Sequence, residues 1–385
     1  GRFAVYKGNS NTALTAGTDY EIDLATDNKS FTITFKDPSG TQGFLGKAAT
    51  NGSNIVSVQY VAKINENIPA LSTDQYKAIA EITEYYPQKV DTTSTTQVNF
   101  AISTPESDKK DVAWVSLYRP APVKTVTSIN PPLGTSTTYA AIGSTVTYEI
   151  VLTLPEGHYD RLVVYDNLPT GLGYIPGTAK VTASNANEIT TTSPTLAVGT
   201  SRDETTGAVT TDTRTTTWNS GEGVYIDFGS VLVNNNDTAL NTVTIELQAR
   251  VLHETNSSSN TAVNSHGNQL QNNARMYASA GTSQQSPLSN NEPVRIVEPN
   301  LSVTKSNGAT ENIQANDTFT YTVVVSNEAR SDYDTPPIYN IEVRDVLPPE
   351  LELTSTVTAL ADPTTTGITF TTPAAFTGMG LLGDP

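Results

Sequence analysis

The stretch TVTYEIVLTLPEGHYDRLVVYDNLPTGL, from Thr145 to Leu172, contains two strand-like runs and a sharp stop. In the first run every second side chain is apolar, namely Val146, Tyr148, Ile150 and Leu152. Alternation with a period of two predicts a β-strand with one buried face. The second run stops at the sequence DNLP, residues 166–169, which is rich in turn-forming residues. This stretch therefore predicts a pair of strands in a β-rich fold.

A second copy of this pattern lies from Thr318 to Leu351, with the sequence TFTYTVVVSNEARSDYDTPPIYNIEVRDVLPPEL. Proline-containing connections near residues 119–122 and 298–300 precede two lysine-bearing runs. Lys124 in the first of these runs and Lys305 in the second are 181 residues apart, which gives the length of the repeat. The chain is thus predicted to be a tandem array of similar units.

The repeat predicts three segments. Residues 1–118 correspond to the back half of one unit, because Val56–Ile64 aligns with Val243–Val251 of the next. Residues 119–297 form a complete unit, and residues 298–385 form the front half of a third. Units that continue past both ends are typical of stalks and filaments. They also suggest that neighbouring copies assemble by strand exchange, with 1–118 of one chain pairing with 298–385 of another.

The composition excludes several classes of protein and site. Only 16% of the residues are charged, and no long helical period is present, which favours strands joined by polar turns. The absence of cysteine excludes disulfides, thiolate metal sites and cysteine nucleophiles. A net charge of −17 makes nucleic acid an unsuitable partner, since such binding depends on basic patches. No run of eighteen apolar residues is present, so no transmembrane helix is predicted.

Five short motifs follow one another along the complete unit. They are GSTVTY (residues 143–148), VYDNLPTGL (164–172), YIPGT (174–178), DFGSV (227–231) and LQNNA (270–274). Together with a lysine-bearing first strand, they resemble the bacterial surface-protein repeat family that carries isopeptide-forming fimbrial domains, as in pilins and adhesin stalks. The resemblance implies tandem immunoglobulin-like β-sandwich modules, a secreted or cell-surface location, and an amide bond that joins a lysine to an asparagine.

The resemblance implies that this bond would join Lys124 to Asn272, with Asp166 as the assisting acid. All three residues share the strand phase of apolar neighbours, so they are predicted to point into the core. Asn273 is the alternative partner if the register slips by one residue. The cluster can also be read as an ordinary polar one, in which Asp166 serves a turn and Lys124 extends to solvent.

The other two segments carry only parts of this set. Lys305 and Asp345 match Lys124 and Asp166, but residues 298–385 offer no asparagine at the third position. In residues 1–118 the position of Asn272 is occupied by Ala78, which cannot form the bond. The cross-link is therefore not predicted to be uniform along the array.

Burial explains why such a bond would form without an enzyme. Unpaired charges inside a core cost several kcal/mol, and desolvation lowers the pKa of a lysine while raising that of a carboxyl. A neutral Lys124 amine would attack the side-chain carbonyl of Asn272, polarised by protonated Asp166, and ammonia would leave. The step happens once per molecule, so the protein is not predicted to be an enzyme.

Two functions are considered on this basis. The first is a structural repeat of a cell-surface or filament protein. The second is an adhesive module that binds glycan or host protein, through the long connection from Ala183 to Thr217. No cofactor is predicted. Ca²⁺ is conceivable at Asp23, Asp27 and Asn28 or at residues 234–237, but ordinary turn chemistry is favoured at both places.

Overall fold

The computed structural model describes residues 3–36, 55–65, 68–82, 110–184, 189–191, 197–234, 240–254, 263–281, 284–308 and 312–354. All the regular secondary structure among these residues is β-strand, so the predicted all-β class is confirmed. The strands before residue 120 are β1 (Phe3–Lys7), β2 (Tyr20–Leu24), β3 (Phe31–Phe35), β4 (Val56–Tyr60), β5 (Gln75–Glu81) and β6 (Lys110–Ser116).

Residues 123–296 form a two-layer β-sandwich, called the central sandwich below. Its strands are β7 (Val123–Asn130), β8 (Tyr139–Ala140), β9 (Thr145–Leu154), β10 (Gly157–Asn167), β11 (Leu172–Tyr174), β12 (Lys180–Ala183), β13 (Ile189–Thr191), β14 (Ala197–Arg202), β15 (Val209–Thr211), β16 (Val224–Val233), β17 (Asn241–Val251), β18 (Gln269–Tyr277) and β19 (Glu292–Ile296). One sheet has the order β15-β14-β16-β10-β18-β19-β8, with β13 also on β16. The other has the order β11-β17-β9-β7, with β12 also on β17.

The core between the two sheets follows the alternation read from the sequence. In β17, buried and half-buried residues alternate along the whole strand. In β9, the four apolar residues of the opening stretch are fully buried. Side chains from both sheets form one hydrophobic cluster, as an immunoglobulin-like sandwich requires. Each large apolar side chain buried in this way contributes about 1.5–3 kcal/mol of transfer free energy.

Three strands decide where the candidate residues lie. Among the described strands, β7 pairs only with β9 and is therefore an edge strand, and Lys124 stands opposite Ile150. In the other sheet β10 lies between β16 and β18, and Asp166 stands opposite Ala274. The first strand of the sandwich therefore faces two strands of the opposite sheet across the core.

The flanking segments form two-stranded sheets. Strand β1 pairs with β4 as β12 pairs with β17, and β5 pairs with β6 as β18 pairs with β19. After the sandwich, β20 (Leu301–Asn307) pairs with β21 (Tyr321–Asn327) as β7 pairs with β9. Each of these described pairings therefore has a counterpart inside the central sandwich.

The segment before the sandwich also packs on it. The backbone of His158 at the start of β10 accepts a hydrogen bond from Ala70 (2.9 Å) and donates one to Ile68 (3.2 Å). Ala70 and Leu71 are buried and adjoin the sandwich core. On the other side, the ring of Tyr333 packs against that of Tyr139 in a tilted arrangement, with 4.6 Å between centroids. Successive segments of the chain therefore touch one another as well as being covalently linked.

Candidate functional site

A fully buried ion pair lies between the two sheets. Lys124 Nζ on β7 is 2.6 Å from Asp166 Oδ2 on β10, and neither side chain is accessible to solvent. In β7 the buried positions alternate, so that Lys124 shares its face with Val126. Asp166 is the last inward-facing residue of β10, just before the turn at Leu168-Pro169. The predicted inward phase of these two residues is what the structure shows.

The third candidate residue, Asn272 on β18, is also fully buried. Neither atom of its side-chain amide makes a hydrogen bond of normal geometry within the described residues. The amide nevertheless lies close enough to influence the pKa of both Asp166 and Tyr148. A buried amide without regular partners is costly, which makes this group a candidate for chemistry rather than for stabilisation.

The prediction missed a fourth member of the cluster, Tyr148 on β9. Its ring lies 4.5 Å from Lys124 Nζ, and its hydroxyl is fully buried. Burial raises the pKa of Tyr148, and the negative charge of Asp166 raises it further. The residue therefore stays a neutral phenol beside the amine. The alternation indicated only that Tyr148 is inward-facing, which is equally true of an ordinary core aromatic.

Burial acts on the pKa values of both charged partners. It lowers the pKa of Lys124 from its ordinary value, and the nearby Asp166 carboxylate opposes that change. It raises the pKa of Asp166, and the nearby Lys124 ammonium opposes that change. Both shifts favour transfer of the shared proton from the amine to the carboxyl. The result would be a neutral nucleophile and a neutral acid beside an amide.

The matching pair in the third segment has the same partners but a different environment. Lys305 Nζ lies 2.7 Å from Asp345 Oδ1 and 4.3 Å from the ring of Tyr321. The side chains of Lys305 and Asp345 are 37% and 40% exposed, whereas those of Lys124 and Asp166 are not exposed at all. The predicted inward phase of Lys305 does not lead to burial, because no described strand covers that face of the β20–β21 sheet.

The remaining predicted positions are placed as follows. Asn273, the alternative partner, points to the surface and donates a hydrogen bond to Asn291 (3.0 Å). Ala78 stands opposite Ala113 on β6, so no amide is present there. The long connection from residue 183 to residue 217, considered above for adhesive binding, contains the strands β13, β14 and β15 in its described part. These strands extend the sheet beside β16.

The residues considered for Ca²⁺ show ordinary turn contacts. Asp27 accepts a hydrogen bond from the backbone of Lys29 (3.0 Å) in the β2–β3 hairpin, and Asn28 has a positive φ of 56°. Residues 235–237 lie outside the described chain. Among the described residues, no group of three or more histidine or acidic side chains is arranged to hold a metal ion.

No protein-family model matches the chain, and neither does any curated protein. Solved structures of pilins and adhesins are similar to it. The pilus backbone of Streptococcus pneumoniae is 14% identical, over 56% of this chain and 48% of that one, with a TM-score of 0.25. The Corynebacterium diphtheriae major pilin, described as pointing to modular assembly with stabilizing isopeptide bonds, is 16% identical, over 49% and 40%, with a TM-score of 0.25.

A collagen-binding domain from a Staphylococcus aureus adhesin is 11% identical, over 47% of this chain and 96% of that one, with a TM-score of 0.18. The chain spans less than half the length of the two pilins named above. These structures belong to the class of protein that the sequence motifs resemble. Within the described residues, no helix is long and apolar enough to cross a membrane.

Proposed function

We propose that the chain is a structural repeat of a bacterial cell-surface or filament protein, and that an amide bond between Lys124 and Asn272 closes its central sandwich. One observation carries the second part of the proposal. A lysine and an aspartate, both inaccessible to solvent and 2.6 Å apart, adjoin a fully buried asparagine amide that lacks regular hydrogen-bond partners. As a purely structural arrangement, this cluster is expensive.

The proposed reaction balances within the cluster. The proton shared by Lys124 and Asp166 moves to the carboxyl, which leaves a neutral amine and a carboxylic acid. Lys124 Nζ then attacks Cγ of Asn272, while protonated Asp166 donates a hydrogen bond to the amide oxygen. The new Nζ–Cγ bond forms, the bond from Cγ to Nδ2 breaks, and the leaving nitrogen departs as ammonia with a proton from Nζ. Asp166 relays that proton and is regenerated, so no external reactant is required.

The bond would join the first strand of the sandwich to its second-last strand. A pulling force enters at β7 and leaves through β19, and β18 pairs directly with β19. With Lys124 tied to Asn272, the force passes from β7 to β18 through a covalent bond. Residues 125–271 then carry no load, which is the property that a stalk or filament under tension needs.

The intact mass of the purified chain tests the proposed bond. We expect a mass lower than that of the sequence by one ammonia, because Lys124 reacts and Lys305 has no buried amide beside it in the described part of the chain. Peptide mapping should then yield one branched peptide that contains Lys124 and Asn272, and an unmodified peptide with Lys305. A mass equal to that of the sequence would refute the bond, and loss of two ammonia molecules would refute its restriction to the central sandwich.

The pH dependence of bond formation follows from the shared proton. The neutral pair of Lys124 amine and Asp166 carboxylic acid holds the same number of protons as the ammonium–carboxylate ion pair. The rate of bond formation should therefore stay constant over a range of pH, which forms a plateau. Extra protonation at low pH leaves an ammonium that cannot attack, and deprotonation at high pH removes the acid. Because burial raises the pKa of Asp166 and lowers that of Lys124, the plateau should be narrower than the ordinary pKa values of the two groups allow. Rates measured by mass spectrometry across pH would check this, and a monotonic profile would contradict it.

The proposal extends to location and partners. A load-bearing repeat of this kind would act outside the cell, next to further copies of itself. The exposed apolar residues on β20 (Leu301 and Val303) and on β5 and β6 (Ile79 and Trp114) are consistent with strand exchange between chains. A strictly monomeric particle in solution scattering at all concentrations would argue against this exchange. Adhesive binding by surface loops stays a prediction that no observed contact favours.

A further inference from the structure

The free edge of β7 is held by side chains instead of by a strand. One edge of β7 pairs with β9, so the backbone groups of Lys124 and Val126 on the other edge need different partners. Asn290 and Glu292 supply them, and both residues belong to the segment that leads into and begins β19. The edge that carries the reactive lysine is thus attached to the opposite sheet.

Asn290 binds the backbone of Lys124 at two points. Its side-chain oxygen accepts a hydrogen bond from Lys124 N (2.9 Å), and its side-chain nitrogen donates one to Lys124 O (2.8 Å). An asparagine side chain has one donor group and one acceptor on the same planar amide, so it reproduces the pairing of a neighbouring strand. Two hydrogen bonds from one rigid group fix both the position and the direction of the Lys124 backbone.

Glu292 extends this attachment by one further contact. Its Oε1 accepts a hydrogen bond from Val126 N (3.2 Å), and its Oε2 accepts one from Asn290 Nδ2 (3.3 Å). Glu292 stands directly opposite Asn272 in the β18–β19 pairing. Glu292 therefore contacts the strand that carries Lys124, and it is also the cross-strand neighbour of Asn272, whose amide the lysine would attack.

The same segment is fixed to β18 by two serines. Ser289 accepts a hydrogen bond from Ala274 N through its hydroxyl (2.8 Å), and Ser286 does the same for Met276 N (2.9 Å). Their own backbone amides donate to the carbonyls of Ala274 and Met276. We call residues 286–292 the bridging segment, because side chains from it bind β18 on one side and β7 on the other.

We infer that Asn290, supported by Glu292, is a positioning residue for bond formation between Lys124 and Asn272. The inference rests on the proposed function, and it assigns a role in that reaction to residues that do not touch the reacting atoms. Asn290 aligns the Lys124 backbone so that the side chain enters the core toward Asn272. Without this attachment, an edge strand joined only to β9 samples more arrangements, and fewer of them bring Nζ to the amide carbon.

The test compares the rates of bond formation in variants of the full chain. The chains are made by cell-free synthesis, and samples are denatured at intervals and analysed for ammonia loss. Asn290→Ala removes both hydrogen bonds to the Lys124 backbone, and we expect it to slow bond formation about tenfold or more. Asn290→Asp keeps the acceptor and loses the donor, so its rate should lie in between. Asn291→Ala is the matched control, because the side chain of the neighbouring Asn291 forms its hydrogen bonds, within the described residues, with Asn273 and Gln271 on β18.

The pH profile separates positioning from a general loss of structure. A positioning role predicts that Asn290→Ala lowers the height of the rate plateau without moving either limb, since this change adds no charge beside the Lys124–Asp166 pair. Equal rates in wild type, Asn290→Ala and Asn290→Asp would overturn the inference and leave the proposed function intact. A shifted limb in Asn290→Ala would also overturn it, because Asn290 would then act through the titrating groups. Absence of ammonia loss from the wild-type chain would overturn the proposed function and the inference with it.

Discussion

The Asp166→Ala variant is expected to retain the full mass of its sequence and to unfold at a markedly lower temperature than the wild-type chain. Without the carboxyl, Lys124 has no proton acceptor and Asn272 loses the group that polarises its carbonyl, so the bond does not form. By analogy with a disulfide that closes a loop of this length, the lost cross-link costs about 5 kcal/mol. The lysine left without its partner inside the core costs about 3–5 kcal/mol more.

A loss of this size should lower the midpoint of thermal unfolding of the central sandwich by roughly 20 °C. Calorimetry and intact-mass measurement on the same sample would show both effects. Asp345→Ala is the matched control, since it removes the equivalent carboxylate from a pair that is more than a third exposed. There we expect the same loss of one ammonia as in the wild type, and a change in the free energy of unfolding of about 1 kcal/mol or less. Ammonia loss from the Asp166→Ala chain would contradict the assigned role of Asp166.

The second large effect is mechanical and concerns Asn272→Ala. When single molecules of the wild-type chain are stretched, the residues between Lys124 and Asn272 should stay locked. In the variant the same residues become free to extend, and they should add about 500 Å of contour length on unfolding. The difference is large because nearly the whole sandwich lies between the two positions that the proposed bond would join.

The neighbouring residue provides the control for this experiment. Asn273→Ala changes an asparagine on the same strand whose side chain points to the surface. It should behave like the wild type, with no additional extension. If Asn273→Ala released the added length and Asn272→Ala did not, the bond would use the alternative register. A wild-type chain that released the full length would show that no bond protects the sandwich.

The same alternation of apolar residues leads to burial in the central sandwich but not in the third segment. In the central sandwich the alternation placed Lys124, Asp166 and Asn272 on inward faces, and the structure buries all three. For Lys305 the same alternation also indicated an inward face, yet its side chain is 37% exposed. Phase specifies a side of a strand, but burial requires a second sheet over that side. That depends on contacts between residues far apart in the chain.

Some residues in and around the buried cluster were identified from the sequence, and others were not. Lys124 and Asp166 were identified from a family resemblance and from phase, because charged residues at apolar positions are conspicuous. Tyr148 was not, since an aromatic residue at an inward position is normal in any core. Asn290 was not either, because its role consists of two hydrogen bonds to the backbone of a residue 166 positions away. No local pattern in the sequence carries such information.

The sequence by itself determined the strands, the repeat and the residues whose chemistry is unusual for a core, because strand periodicity and composition are local properties. Only the tertiary structure decided that Lys124 and Asp166 lie within 2.6 Å, that solvent is excluded from them, and that a segment near β19 attaches the edge of β7. These features arise where two sheets meet. The distances across a sandwich depend on how strands pair and pack, and the order of residues along any one strand does not specify them.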